Sequence, residues 1–113
     1  MNIETQDLDG VTIVRIAGRQ LIASNTDIFK KAFAAVPETT THFIIDLGDL
    51  EFIDSTGLGA IVNVLKAVRT RDGDIKLCSM SDPVYRTFEL VKLNRVFQIF
   101  PSLNAALASS LAS

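Results

Sequence analysis

The sequence predicts an α/β fold: a mixed β-sheet that begins with an antiparallel hairpin, continues with parallel strands and carries about four α-helices. Strand-like runs on both sides of Asp9-Gly10 predict the hairpin, because both residues can take the positive φ of a tight turn. Residues 42–47, "HFIIDL", are apolar without alternation, which is typical of a strand covered on both faces. After them, helix-like and strand-like segments alternate, which indicates parallel strands joined through helices.

A first helix is predicted between the hairpin and this central strand. Residues 24–27, "SNTD", place a hydroxyl three residues ahead of an acid, which is the spacing of a helix capping box. Pro37 closes the helix, because proline has no backbone N–H to continue it. The apolar residues at helical spacing in this segment are Ile28, Phe29, Ala32, Phe33 and Val36.

The second half of the chain predicts three further helices and two further strands. The second helix ends in the loop 71–74, and residues 75–80, "IKLCSM", follow as a strand. Asp82 caps the third helix and Pro83 takes its first position. Residues 96–100, "VFQIF", form the last strand, ahead of a terminal helix rich in alanine and leucine. The predicted inner faces are Leu58, Ile61, Val62, Leu65 and Val68 in the second helix and Val84, Phe88 and Val91 in the third.

Length and composition predict a single domain over residues 1–113, since 48% of the residues are hydrophobic and can form a core. The formal charge is −2 and charges of both signs are scattered, so direct nucleic-acid binding is not expected. The absence of a basic-apolar leader and of an apolar stretch near 20 residues predicts a cytoplasmic protein without membrane insertion. Cys78 is the only cysteine and His42 the only histidine, so we expect structural roles for both, with no zinc site or other metal and no cofactor.

Residues 51–59, "EFIDSTGLG", interrupt the apolar pattern where the second helix should begin. Ile53 ends a short extended segment, and either Ser55 or Thr56 caps the helix, a role worth about 1 kcal/mol that requires no further function. Gly57 and Gly59 each cost a helix up to about 1 kcal/mol relative to alanine, which indicates that another backbone or another protein approaches closely. A phosphate on Ser55 is compatible with a helix start, because the free N–H groups there favour negative charge.

A second stripe of small apolar residues runs beside the core stripe of this helix, at Gly57, Ala60, Val64 and Ala67. Two explanations remain open. The stripe can pack against a neighbouring helix, since apolar helix faces are normally buried, or it can form a partner-docking surface beside Ser55.

Catalytic motifs do not fit the interrupted stretch, and we expect no enzyme activity. An aspartic protease requires glycine two residues after its aspartate and a second carboxylate, whereas here Thr56 intervenes and no second copy exists. A serine hydrolase using Ser55 requires a nearby base, but His42 lies in the predicted central strand. The phosphate-binding pattern G-x-x-x-x-G-K-[ST] is absent.

The segments 47–80, "LGDLEFIDSTGLGAIVNVLKAVRTRDGDIKLCSM", and 83–107, "PVYRTFELVKLNRVFQIFPSLNAAL", resemble the STAS domain, specifically the bacterial anti-sigma factor antagonists. The likeness spans nearly the whole chain, and D-S-T-G-L-G is its most specific part. The resemblance implies a mixed sheet with helices, which agrees with the element order above. It also implies a substrate and binding module rather than an enzyme.

In that family, the serine after the motif aspartate is phosphorylated, which implies Ser55 as the phosphoacceptor here. The resemblance implies two partners: an anti-sigma factor that is also a GHKL-type serine kinase, and a PP2C-type phosphatase that removes the phosphate. The unphosphorylated antagonist binds the anti-sigma factor and so releases a sigma factor. The residues expected to bind the partner are Asp54, Ser55, Thr56, Gly57, Leu58, Gly59 and Ala60.

Two positions depart from the family pattern. Residues 18–25, "GRQLIASN", lack the acidic residue that many antagonists carry there, and Lys92 stands where the family often has a glycine that ends the third helix. An alternative function also remains: a STAS subunit of a membrane assembly that transports lipids or anions, which binds an ATPase and requires no phosphorylation.

Overall fold

A computed structural model describes residues 1–111. The strands and helices in this range are β1 (Asn2–Leu8), β2 (Val11–Ala17), β3 (Gln20–Leu21), α1 (Thr26–Ala34), β4 (His42–Asp46), β5 (Phe52–Ile53), α2 (Ser55–Arg69), β6 (Asp74–Cys78), α3 (Asp82–Leu90), β7 (Gln98–Phe100) and α4 (Leu103–Leu111). A short 3-10 turn, Leu93–Arg95, lies between α3 and β7.

The main sheet has five strands in the order β1-β2-β4-β6-β7. β1 and β2 pair antiparallel, and every other neighbouring pair in this sheet is parallel. Asp9 and Gly10 form the hairpin turn with φ values of 51° and 84°. The predicted mixed sheet and its opening hairpin are therefore confirmed.

β4 lies at the centre of the sheet and is buried on both faces, as its unbroken apolar run predicted. Phe43 and Ile45 join the larger core cluster with side chains of α1, α2 and α3. Ile44 points to the opposite face, where it packs with Ala106 of α4 in a smaller cluster. The alternation of side chains along the strand thus divides the core between three helices on one face and the terminal helix on the other.

A second, two-stranded parallel sheet pairs β3 with β5, and the sequence did not predict it. Gln20 lies opposite Phe52, and Leu21 opposite Ile53. The N–H groups of Glu51 and Phe52 both donate to the Arg19 carbonyl, at 2.7 and 3.1 Å. Strands of two residues are too short to show a periodicity, so only the tertiary structure places the loop 19–25 beside the interrupted stretch.

The first helix begins differently from the capping-box prediction. Its cap position is Asn25 rather than Ser24, and the Asn25 side chain makes no capping bond. Instead, Asn25 Oδ1 accepts from the N–H of Ile22 and Nδ2 donates to the carbonyl of Gln20, each at 2.9 Å. Because the side chain braces the loop, it is not available to the helix. Ile28, predicted to face the core, is 44% exposed.

The third helix also corrects two predictions. Its cap is Ser81, whose Oγ accepts from the N–H of Val84 at 3.4 Å, and Asp82 is the first helical residue. Val91 was expected on the inner face, but the helix ends at Leu90 and Val91 is 55% exposed. Lys92 has a φ of 61°, so it takes the left-handed conformation that a glycine would adopt at this helix end.

Candidate functional site at the start of helix α2

Asp54 caps α2, which corrects the prediction that Ser55 or Thr56 does so. Its Oδ1 accepts from the N–H of Gly57 at 2.8 Å, and its backbone is extended. The Asp54 N–H donates to the carbonyl of Leu21 at 3.3 Å, which continues the pairing of β3 with β5 by one residue. Aspartate, serine and threonine are all good caps, so the end of this pairing determines which of the three occupies the cap position.

The second carboxylate oxygen of Asp54 reaches the loop 19–25. Oδ2 accepts from the N–H of Ala23 at 3.0 Å, a contact between residues separated by 31 positions in the sequence. One side chain therefore joins the start of α2 to the loop that follows β3. Both carboxylate oxygens of Asp54 therefore have backbone N–H groups as their partners.

Ser55 is the first residue of α2, and its side chain is exposed. Among residues 1–111, no hydrogen bond holds its hydroxyl. Thr56, the next residue, is exposed as well. Because Asp54 provides the cap, both hydroxyls remain free for other chemistry.

The two glycines of the stretch have different environments. Gly57 is buried, and a Cβ atom there would overlap the carbonyl oxygen of Leu21 and lie 2.9 Å from Ile53 Cγ1. Nothing lies within 4 Å of a Cβ atom built on Gly59. The close approach predicted for these glycines therefore occurs within the chain at Gly57, while Gly59 borders open space.

The seven residues expected to bind a partner divide in the same way. Gly57, Leu58 and Ala60 are buried in the free chain, where they fix the position of the helix. Ser55 and Thr56 are exposed, and Asp54 and Gly59 are half-buried. Fewer residues of the stretch are therefore accessible to a partner than the seven that were predicted.

The stripe of small residues divides along the helix. Gly57 and Ala60 are buried, so internal packing accounts for the first half of the stripe, although at Gly57 the neighbours are Leu21 of β3 and Ile53 of β5 rather than a helix. In the second half, Val64 is half-buried and Ala67 is exposed. Internal packing therefore does not account for the whole stripe.

Phe52, one residue before Ile53, is 55% exposed. It borders an open cleft of about 460 Å³, which lies along β3 and β5 and is lined by Met1, Gly18, Arg19, Gln20, Asn25, Glu51 and Phe52. Sequence reasoning missed this surface. The available signal was an aromatic residue directly after an acid, in a segment too short to be a covered strand.

Other potential sites are absent from the part of the chain that the structure describes. No group of three or more His, Cys, Asp or Glu residues in residues 1–111 is placed to hold a metal ion. None of the helices described is long and apolar enough to cross a membrane. Cys78 is buried in β6, and burial raises the pKa of its thiol to about 11, so it is a poor nucleophile at neutral pH.

The site thus lies on a five-stranded mixed sheet that opens with an antiparallel hairpin, and an exposed serine follows the aspartate that caps α2. The STAS domain model matches residues 2–106, and the chain belongs to this family.

Its relatives include anti-sigma factor antagonists. The anti-sigma F factor antagonist of Paenibacillus polymyxa is 28% identical over 102 residues, which cover 88% of this chain and 86% of that protein. A crystal structure of a candidate anti-sigma factor antagonist from Thermotoga maritima matches with a TM-score of 0.87 and 29% identity, covering 95% of this chain and 92% of that one. The fold also matches a murine solute carrier 26 anion transporter, with a TM-score of 0.81 and 23% identity over 96% of this chain and 19% of the transporter.

Proposed function

We propose that this chain is an anti-sigma factor antagonist that works by partner switching. In this proposal, the unphosphorylated form binds an anti-sigma factor that is also a GHKL-type serine kinase, and a sigma factor is released. The kinase phosphorylates Ser55, which ends the binding, and a PP2C-type phosphatase restores it. The chain acts as a substrate and binding module rather than as an enzyme.

The observation that carries the proposal is the position of Ser55. Its hydroxyl is exposed and free at the first position of α2, because Asp54 caps the helix. A kinase can reach such a hydroxyl without unfolding the helix. The names of the antagonist relatives support a partner of the anti-sigma class.

Electrostatics explains why one phosphate can end binding without unfolding the chain. The N–H groups at a helix start favour a negative group nearby, so the modified chain stays folded. The phosphate adds about −1.5 to −2 charges next to the carboxylate of Asp54. A partner packed against α2 removes water from the phosphate and from the Asp54 carboxylate. The free-energy cost of this desolvation and of the repulsion between the two groups exceeds the free energy gained from the contact.

The test combines site mapping with binding. The chain is incubated with a GHKL-type kinase that binds it and ATP, and mass spectrometry locates the added phosphate. We expect modification at Ser55, none in Ser55→Ala, and full modification in the matched control Thr56→Ala, which removes the neighbouring exposed hydroxyl. Modification at Thr56 alone, or none with a kinase that binds the chain, would overturn the proposal.

Binding of the same kinase is then compared between variants by calorimetry. We expect Ser55→Ala to bind as the unmodified chain does and Ser55→Asp to bind more than about 10-fold more weakly. In Ser55→Asp the added carboxylate lies beside that of Asp54, and the repulsion between the two grows when the partner removes water from them. Equal affinity of the two variants contradicts the switch. The likeness to anion transporter domains is a likeness of fold, and no feature of the site favours the transport alternative.

A further inference from the structure

The two edges of the main sheet differ, and one of them is the feature from which we draw a further inference. β7, at one edge, has three residues, and so short a strand offers little backbone for pairing. β1, at the other edge, has seven residues in one unbroken register with β2, from Asn2 opposite Ala17 to Leu8 opposite Val11. It contains no proline, no lysine and no bulge, which are common protections of an edge against pairing.

The hairpin turn determines which backbone groups of β1 point outward. A two-residue turn closes on a hydrogen-bonded pair, here Leu8 and Val11, and bonded pairs then alternate along the register. Every second residue back from Leu8 therefore bonds to β2, whereas the N–H and C=O groups of Ile3, Thr5 and Asp7 point away from it. Within residues 1–111, these outward groups have no hydrogen-bond partner. Thr5 and Asp7 are also exposed, so a strand from outside can reach this edge.

We propose that β1 pairs antiparallel with β1 of a second copy of this chain, about a two-fold axis at Thr5, so that the two sheets become one. With the axis there, Thr5 lies opposite its counterpart and Ile3 lies opposite Asp7, and all of the outward N–H and C=O groups find partners. An axis at Glu4 would place two carboxylates opposite each other, and an axis at Gln6 would leave the outward groups of Ile3 unpaired. Each copy uses its β1 edge once, so the contact closes at two chains.

The charges of β1 are compatible with this register. Glu4 lies opposite Gln6 of the second copy rather than opposite another acid, which avoids direct repulsion. Within the chain, Arg15 donates to Glu4 at 2.9 Å, and Asp7 accepts from the Thr12 hydroxyl at 2.7 Å. Both acids of β1 therefore have a partner on β2 of their own chain.

Helix α1 adds an apolar surface beside this edge. Ala32 and Ala35 line a cleft together with Thr5, so this face of α1 borders β1. Ile28 lies one helical turn before Ala32 on the same face and is 44% exposed, although its spacing predicted a core position. The two-fold axis runs perpendicular to the joined sheet and brings the α1 helices of both copies to one side of it. The second copy thus covers an apolar residue that the free chain leaves exposed.

Sedimentation velocity of the full chain tests the pairing without a kinase, so its outcome does not depend on the switch proposed at Ser55. Pairing along one strand buries less area than a standard interface, so we expect a weak dimer with a Kd of about 0.1 mM. Thr5→Pro removes one outward N–H and no bond to β2, and it should weaken the dimer at least about 10-fold. Thr5→Val is the matched control, because it keeps the N–H, and its Kd should stay within about 2-fold of the wild type. A wild-type chain that stays monomeric up to about 1 mM, or a Thr5→Pro variant that dimerises as the wild type does, contradicts the proposal.

Amide hydrogen exchange of the unchanged chain locates the contact and keeps the test decisive if proline unfolds the hairpin. At about 1 mM chain, exchange should be about 5-fold slower than at high dilution for the amides of Ile3, Thr5 and Asp7, because about four fifths of the chains are then paired. The amides of Glu4 and Gln6 already bond to β2 and should exchange at the same rate at both concentrations. Exchange at Ile3, Thr5 and Asp7 that is independent of concentration, or that slows equally at all five residues, refutes pairing in this register.

Discussion

Gly57→Ala and Gly59→Ala are the same chemical change two positions apart in one helix, yet the structure predicts opposite effects on stability. In an open helical site, alanine is favoured over glycine by about 1 kcal/mol. Gly59 is such a site, because nothing lies within 4 Å of an added Cβ atom. We therefore expect Gly59→Ala to raise the free energy of unfolding by about 0.5 to 1 kcal/mol.

At Gly57 the added methyl meets backbone. Its Cβ would overlap the carbonyl oxygen of Leu21, lie 3.0 Å from the Leu21 carbonyl carbon and lie 2.9 Å from Ile53 Cγ1. The same Leu21 carbonyl accepts from the Asp54 N–H, so relief of the overlap must disturb the helix cap. Overpacking of this kind costs about 3 kcal/mol, against the gain of about 1 kcal/mol in helix propensity. The expected net loss is about 2 kcal/mol.

Urea unfolding, followed by circular dichroism, measures both changes in the free energy of unfolding, provided that the variants and the wild type have equal m-values. At about 4 °C per kcal/mol for a domain of this size, the melting temperature should fall by about 8 °C in Gly57→Ala and rise by about 3 °C in Gly59→Ala. Gly57→Ala as stable as the wild type would refute the close packing. Binding of the proposed anti-sigma partner separates the two variants further: if Gly59 lies in the contact surface, Gly59→Ala binds more weakly although it is more stable.

Three further predictions follow from single residues. Asp54→Ala should lower the free energy of unfolding by about 2 kcal/mol, because it leaves the Gly57 and Ala23 N–H groups without their acceptor; Asp54→Asn, which keeps one acceptor oxygen, should lose about half of that in the same urea experiment. Lys92→Gly should gain about 0.5 kcal/mol, since glycine takes the φ of 61° without strain but is more flexible when unfolded; a loss of stability would contradict this account. Burial raises the pKa of Cys78 from 9.0 to about 11, so the folded state favours the neutral thiol. The contribution of this thiol to the free energy of unfolding is fully present below pH 9 and is lost as the pH rises through 11. Melting temperatures of the wild type and Cys78→Ala, measured across this pH range, check the effect: that of the wild type should fall more steeply with pH. Parallel plots of melting temperature against pH would contradict it.

Much of the fold was predictable because it depends on neighbouring residues. The turn at Asp9-Gly10, the unbroken apolar run of β4 and the helical spacing of the α2 core are local patterns, and the structure confirms each. Helix ends were less predictable. Several residues with a suitable side chain compete for each cap, and the selected one depends on the preceding chain, as Ser81 before α3 and Asn25 before α1 illustrate.

The candidate site was located by sequence, but its internal organisation was not. The stretch 51–59 marked the start of α2, and the family resemblance selected Ser55 within it. The cap role of Asp54, the exposure of Phe52 and the contribution of the loop 19–25 emerged from the structure. These features depend on the pairing of β3 with β5, which no periodicity in two-residue strands reveals.

The sequence by itself determined the order of elements, the mixed sheet and the position of the interrupted stretch, because hydrophobic spacing and turn chemistry act between residues close in the chain. Only the tertiary structure decided what each residue of that stretch does. Asp54 bonds to Ala23 across 31 positions, and Gly57 packs on the carbonyl of Leu21. Such contacts depend on the path of the whole backbone, so of two glycines in one helix turn, Gly57 packs against another part of the chain and Gly59 stays open.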